Sequence, residues 1–442
     1  MAQPPVADFY EDKETRLHRR RTGRRSYLIA VPITGLVLAV AILGAVGPRN
    51  APAHSGATAG SSGIGPASVE PTETGQAIWS PPVAALPTFG IAGFRALIVN
   101  NAMNMTLGAG VNPMDADGAD LLYGLGNDLF IANAATQSEP VHVATGRPCG
   151  WVTQAAMSDV GVIYAEVVPP GAPGDASATC PDFYATAEWH VTIVDRSTRT
   201  AREVGSGTYS GLGQAGPAEA APAVDIAESV YSFSRPEREG HRAVVEVHDL
   251  GQDKRFYASD PLAIPMQIEL ADSRLTVSVP SSDDSTLVGQ RVVLATDSWG
   301  SPLTQTAITM GPVSLSRDGR RLAFSSCEDM PCRPAIRLQE EAGPATYLPA
   351  PPTWLSVDSV SSALQTVAWV SPTNLDSSFS NDQTWYLGLK CNRWAEPVLL
   401  SGIRAPSWVH VQDDTLLWVS FDPSDGSAQL SQLELQSAFQ GW

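Results

Sequence analysis

The chain has 442 residues, 43% of them hydrophobic, so it is long enough to bury at least one full core. Its 35 Pro and 37 Gly suit many turns and short strands better than long helices. The net charge of −18 is unevenly spread: residues 1–26 are basic and the remainder balances at −21, which excludes a nucleic-acid binder.

Residues 1–26 form a basic tail with Lys13, Arg16, Arg19, Arg20, Arg21, Arg24 and Arg25. Elsewhere Lys occurs only at 254 and 390, an Arg bias that fits a GC-rich bacterial genome. Tyr27–Val46 (YLIAVPITGLVLAVAILGAV) is uncharged, and twenty residues of helix span about 30 Å, the thickness of a bilayer's hydrocarbon core. The Arg cluster abuts its start, so the positive-inside rule predicts a cytoplasmic N-terminus and a single-pass anchor at 27–46. A cleaved export signal is the alternative. GRRSYL (Gly23–Leu28) resembles the twin-arginine motif, and Ala51-Pro52-Ala53 fits a small-x-small cleavage site. Either way the rest of the chain lies outside the cytoplasm. Residues 47–80 are Pro/Ala/Gly/Ser-rich without apolar periodicity and are predicted to be a flexible linker. Residues 81–442 remain as an extracytoplasmic domain.

Within that domain SLSRDGRRLAFSS (Ser314–Ser326) places an Asp-Gly turn between short alternating apolar stretches, the pattern of a β-hairpin. WVHVQDDTLLWVS (Trp408–Ser420) keeps the same outline. ELADSRLTVSV (Glu269–Val279), IAESVYSFS (Ile226–Ser234), MSDVGVIYAEV (Met157–Val167) and SALQTVAWVS (Ser362–Ser371) keep the turn and return strand. The return strands begin at Val162, Val230, Leu275, Leu322, Val367 and Leu416, at spacings of 68, 45, 47, 45 and 49 residues. Four of these five match the period of propeller blades, and the long one holds the Pro/Gly/Ala-rich insertion Pro169–Asp182.

The Ser314–Ser326 unit resembles the repeat of TolB-like (WD40-like) β-propellers, with Arg317 where that repeat usually has Pro. The resemblance extends over about residues 90–440 and implies an all-β propeller of six to eight four-stranded blades, with seven best fitting the spacing. A further blade is expected upstream: Asn127–Gly146 as its outer strand pair with AATQSE as the turn, and its inner strands from about residues 90–125. A pair of β-sandwiches fits the regular spacing less well.

Five cysteines lie in the extracytoplasmic region. Proximity suggests Cys149–Cys180 across the long insertion and Cys327–Cys332 across one hairpin loop, with Cys391 left over and buried. No CxxC pair and no HxH or HExxH motif occurs. His142, His190 and His248 lie in strand-like runs and read as ordinary sheet residues. MDADGADLLYG (Met114–Gly124) offers Asp115, Asp117 and Asp120 around Gly118, and resembles the calcium loop of FG-GAP repeats. Pro113 holds the first ligand position and the loop is one residue short, so the plain reading is an Asp-Gly turn. No GxSxG, Walker loop or dinucleotide fingerprint occurs, and GSGTYSG (Gly205–Gly211) reads as an interblade loop. Trp369 and Trp418 hold equivalent strand positions and are expected to pack between blades.

No catalytic, cofactor-binding or metal-ligating residue is nominated from these patterns, and no cofactor is expected. The primary reading is a membrane-tethered module that binds a cell-envelope protein or ligand through its rim or channel. The alternatives are an extracytoplasmic hydrolase or lyase at the propeller channel, and a sensor signalling through the short cytoplasmic tail as membrane-bound anti-sigma factors do.

Overall fold

The computed structural model describes residues 95–438 except 100, 173–179, 181–185, 211–220, 238–241, 253, 272–273, 282–289, 297, 300, 328–333, 341–345, 349–356, 364, 374–383, 395, 402, 404–405 and 423. The predicted tail, anchor and linker lie outside these residues, as does Cys332. No helix among the described residues is long and apolar enough to cross a membrane. The chain divides into residues 1–79 and 80–442, and the strands belong to the second unit.

Two strands come first, β1 (Arg95–Ile98) and β2 (Met103–Ala109). Four-stranded antiparallel meanders follow in chain order. Blade 1 is β3 (Val111–Asp117), β4 (Asp120–Leu125), β5 (Asp128–Asn133) and β6 (Val141–Thr145). Blade 2 is β7 (Trp151–Met157), β8 (Gly161–Val168), β9 (Thr186–Asp195) and β10 (Ala201–Ser210). Blade 3 is β11 (Val224–Ala227), β12 (Val230–Pro236), β13 (Arg242–Asp249) and β14 (Arg255–Ala258), with the short β15 (Leu262–Ala263) also on β13. Blade 4 is β16 (Gln267–Ala271), β17 (Arg274–Pro280), β18 (Arg291–Thr296) and β19 (Thr304–Thr309). Blade 5 is β20 (Val313–Leu315), β21 (Arg321–Cys327), β22 (Pro334–Glu340) and β23 (Thr346–Leu348). Blade 6 is β24 (Ser359–Ser362), β25 (Thr366–Thr373), β26 (Thr384–Cys391) and β27 (Val398–Ser401). Blade 7 takes β28 (Pro406–Gln412), β29 (Thr415–Phe421) and β30 (Ser427–Glu434), followed by one helical turn, α1 (Leu435–Ala438).

The first strands touch in cyclic order, β3, β7, β11, β16, β20, β24, β28 and back to β3, so seven blades close a ring around a central channel. The molecule is a seven-bladed β-propeller. All six return strands expected from the sequence are the second strands of blades 2 to 7. Asn127–Gly146 contains the outer pair of blade 1, as anticipated. Residues 95–109 differ from expectation. They belong to no inner strand: β2 pairs antiparallel with β30 as the fourth strand of blade 7, and β1 adds parallel to β27 at the edge of blade 6. Closing the ring this way occupies the β30 edge with a strand from the opposite end of the chain.

Second strands lie between neighbouring blades and are buried on both faces, which explains their nearly continuous apolar sequences. Every residue of Gly161–Val168 is buried. The apolar clusters follow the seams: Trp369 packs among residues of blades 5 and 6, and Trp418 among residues of blades 6 and 7, as their equivalent positions predicted. Gly388 lies opposite Trp369 in register, and a Cβ there would fall inside the indole. Cys149 and Cys180 form the expected disulfide, with Cα atoms 5.4 Å apart, tying the start of blade 2 to the insertion before β9. Cys391 is free, and is half-buried rather than fully buried, because it ends β26 beside a turn.

The repeat motif also acquires a local physical explanation. In the turn between β20 and β21, Ser316 Oγ donates to Asp318 Oδ1 (2.6 Å) and accepts from Arg321 N (2.9 Å). Gly319 takes a φ of +71°, which only glycine adopts without strain. Arg321, 3% exposed, reaches the Ala363 carbonyl of blade 6 (3.3 Å) and Glu340 (2.7 Å). Arg274 holds the same position in blade 4 and donates to the Gly319 carbonyl of blade 5 (2.6 Å). The basic residue opening the second strand is therefore an interblade clasp.

Candidate functional site

The inner strand of each blade pairs on one edge only, so its other edge presents unpaired amides toward the channel. Polar side chains from the preceding blade cap these amides. Asp115 Oδ2 of blade 1 accepts from Met157 N of blade 2 (2.6 Å). Asp225 Oδ2 of blade 3 accepts from Leu270 N of blade 4. Gln267 Oε1 and Glu269 Oε2 of blade 4 accept from Val313 N (3.1 Å) and Leu315 N (3.3 Å) of blade 5. Ser314 Oγ of blade 5 accepts from Ser362 N (3.0 Å). Ser359 and Ser361 of blade 6 accept from Val409 N (3.1 Å) and Val411 N (2.8 Å). Gln412 of blade 7 accepts from Gly118 N, in the turn after β3 of blade 1 (2.8 Å). Among the described residues only the seam from blade 2 to blade 3 lacks such a cap, and the adjoining positions Ala155, Ala156 and Met157 are apolar.

These residues border a channel cavity of about 420 Å³ that also touches Trp408 and His410. Three of its carboxyls, Asp115, Asp225 and Glu269, are perturbed in one direction. Burial raises Asp115 from its ordinary 3.8 to about 7, with the Asp117 charge adding to the rise against its amide bonds. Burial and the Asp115 charge raise Glu269 to about 8. Burial, then Glu269 and Asp115, hold Asp225 well above the carboxylate range. Burial pushes His410 down to about 4, leaving a neutral ring stacked on Trp408 with Gln412 Oε1 3.4 Å away.

One mouth is bridged. Arg317 of blade 5 meets Asp117 of blade 1 at 2.6 Å, although blades 6 and 7 lie between them on the ring, so the side chain spans the opening. Arg196 of blade 2 contacts Asp117 (3.4 Å) and Asp120 (2.6 Å), and Gln412 Nε2 donates to Asp117 (3.3 Å). Arg317, the departure from the repeat pattern, thus has a partner that sequence spacing could not reveal.

The three aspartates of the calcium-like loop take protein partners. Asp115 turns to blade 2, while Asp117 and Asp120 share Arg196, in the geometry of a β-turn between β3 and β4 with Gly118 at φ +61°. Among the described residues no group of His, Cys, Asp and Glu is arranged to hold a metal ion. His142, His190 and His248 are sheet residues beside Asp128, Glu203 and Glu246, each 3.2 Å away, and none faces the channel. Among the described histidines only His410 reaches it, and its sequence context of alternating apolar residues gave no signal.

No protein-family model matches the sequence, and no curated protein matches it. Solved structures similar to the chain include the β-propeller domain of the Trilobed protease from Pyrococcus furiosus, at 8% identity and a TM-score of 0.48, covering 75% of this chain and 96% of that one. They also include the acylaminoacyl peptidase of Pyrococcus horikoshii (10%, TM-score 0.47, 76% of this chain), of which the chain spans about half the length, 54%. The Cps50 (Swd1) β-propeller domain of Myceliophteria thermophila is similar at 10% identity and a TM-score of 0.40, covering 74% of this chain and 98% of that one. The seven-bladed assignment rests on the strand topology itself, and at these scores the likenesses carry no statement about activity.

Proposed function

We propose that this chain is a binding module of the TolB-like kind, tethered to the membrane by residues 27–46 and presenting its propeller outside the cytoplasm to a cell-envelope protein. One observation carries the reading: the channel's polar side chains are committed to capping neighbouring inner strands. Asp115, Asp225 and Glu269 each accept main-chain amides, so removing one leaves a buried donor unpaired, the behaviour of a structural group. Rim loops and interblade grooves are then the surfaces left for recognition. The disulfide at Cys149–Cys180 fits an oxidising compartment. A pull-down of the full-length protein from its own membranes, against a variant lacking residues 81–442, tests this. Recovery of an envelope protein only with the propeller present supports the module. Failure to recover one removes the main support and shifts weight to a second reading, a hydrolase or lyase at the channel. That second reading is favoured by Asp115 and Glu269, two carboxyls raised to about 7 and about 8 beside one cavity.

A further inference from the structure

Three arginines near the first-to-second-strand turns hold different kinds of partner. Arg274 and Arg321 are buried and grip main-chain carbonyls, those of Gly319 and Ala363, so releasing either leaves polar groups unpaired in the interior. The side chain of Arg317 is 46% exposed and pairs with another side chain, the carboxylate of Asp117. Ion pairs as exposed as this add little net stability, and salt weakens them further. Nor does Asp117, itself only 10% exposed, depend on this partner. Arg196 (3.4 Å) and Gln412 Nε2 (3.3 Å) stay on the same carboxylate when Arg317 leaves, and the departing guanidinium enters water. The pair therefore opens without stranding a buried charge, the condition that makes most buried pairs costly to break.

The place of the pair gives its opening a consequence. Gln267 and Glu269 cap Val313 and Leu315 in that order, and Ser359 and Ser361 cap Val409 and Val411 in that order, so these neighbouring first strands run parallel. The turns that follow such strands gather at one mouth of the channel. Arg317 stands in the turn after β20 and Asp117 ends β3, with blades 2 to 4 between them on one side of the ring and blades 6 and 7 on the other. The pair thus crosses the mouth near its diameter. Arg317 also borders the cavity of about 420 Å³, together with His410 and the carboxyls of Asp115, Asp225 and Glu269.

We infer that Arg317 is a latch on the channel: paired with Asp117 it bars that mouth, and released into solvent it admits small solutes to the cavity. Such a latch goes beyond the envelope-partner reading and does not need it.

His410 reports the opening, because its ring borders the cavity and is neutral near pH 7. The test is carbethoxylation of the full-length protein with diethyl pyrocarbonate, a small uncharged reagent that attacks neutral imidazole. Mass spectrometry follows the peptides holding His410, His142 and His248. Arg317→Ala should quicken His410 by about two- to fivefold, the population shift that loss of an exposed ion pair supplies. Arg317→Lys, which keeps the charge, should stay closer to the parent. Salt at about 1 M should quicken His410 in the parent but not in Arg317→Ala. Neither substitution should change half-exposed His142 or His248, which is buried away from the channel. The latch is overturned if His410 keeps the parent rate in a folded Arg317→Ala, or if His248 quickens in step with it, the mark of general loosening. Should Arg317→Ala fail to fold, the salt series on the parent decides: a His410 rate indifferent to salt overturns the latch. A chain that recovers an envelope partner while His410 stays unresponsive loses the latch alone; one that opens in this way without a partner loses the module reading alone.

Discussion

Glycine and tryptophan form a complementary pair in blade 6, as they do in blade 2, where Gly207 lies against Trp189. The ring occupies the volume where a Cβ would stand, so Gly388→Ala must displace either Trp369, which is fully buried, or the β26 backbone. Overpacking of this kind costs about 2–3 kcal/mol. A clearly lowered chemical-denaturation midpoint with an unchanged slope is expected; an unchanged midpoint would mean the seam yields more readily than its packing implies. Gly388 carries no sequence signal beyond its identity, whereas Trp369 was legible as an interblade residue because Trp418 repeats its position 49 residues on.

At the scale of the element, the distinction lies between second strands and first strands. A second strand is buried on both faces and announces itself as an apolar run at a blade-length period, so six were readable from one chain. A first strand mixes polar with apolar residues. Its Asp, Gln, Glu and Ser residues look like solvent-facing positions until the ring places the next blade's amides beside them. Residues 95–109 were misassigned for a related reason. The apolar pattern of β2 states that it is a strand and says nothing of which strand it joins, because its partner β30 is more than 300 residues away in sequence. Closure by β2 has a mechanical consequence. A chain beginning after Ala109 leaves β30 as an open edge, and a loss of cooperativity in denaturant together with aggregation by light scattering is expected. Retention of the full-length unfolding midpoint by a monomeric truncated chain would show that β2 adds nothing to the ring.

Over the whole molecule, buried carboxyls give stability a pH dependence of two opposing signs. Glu246 is held down to about 2, chiefly by its hydrogen bond with His248 and then by Arg235. Its contribution is present above its ordinary 4.5 and is lost as pH falls through about 2. Asp115 and Glu269 behave oppositely. Their folded values lie above the unfolded ones, so their contribution is complete below about 4 and is lost as pH rises through about 7 and about 8. Stability should therefore decline from pH 5 to pH 9. Asp115→Asn, which keeps an oxygen for the Met157 amide but carries no charge, should flatten that decline and raise the melting temperature at pH 8 relative to pH 5. An equal change at both pH values would mean that Asp115 is ionised throughout.

Taken by itself, the sequence determined the all-β propeller and the phase of its blades 2 to 7, and suggested the bridge across the long insertion that the structure contains, because period, burial and proximity along the chain are local quantities. It also motivated the membrane tether, which rests on the uncharged run at 27–46 and its flanking arginines. Only the tertiary structure decided the blade count, the strand that closes the ring, the span of Arg317 to Asp117 across the channel mouth, and the seating of Arg337 beside the Phe324 and Tyr347 rings. Each of these depends on which distant segments meet, and side-chain chemistry fixes what a residue can pair with but not which partner the fold brings within reach.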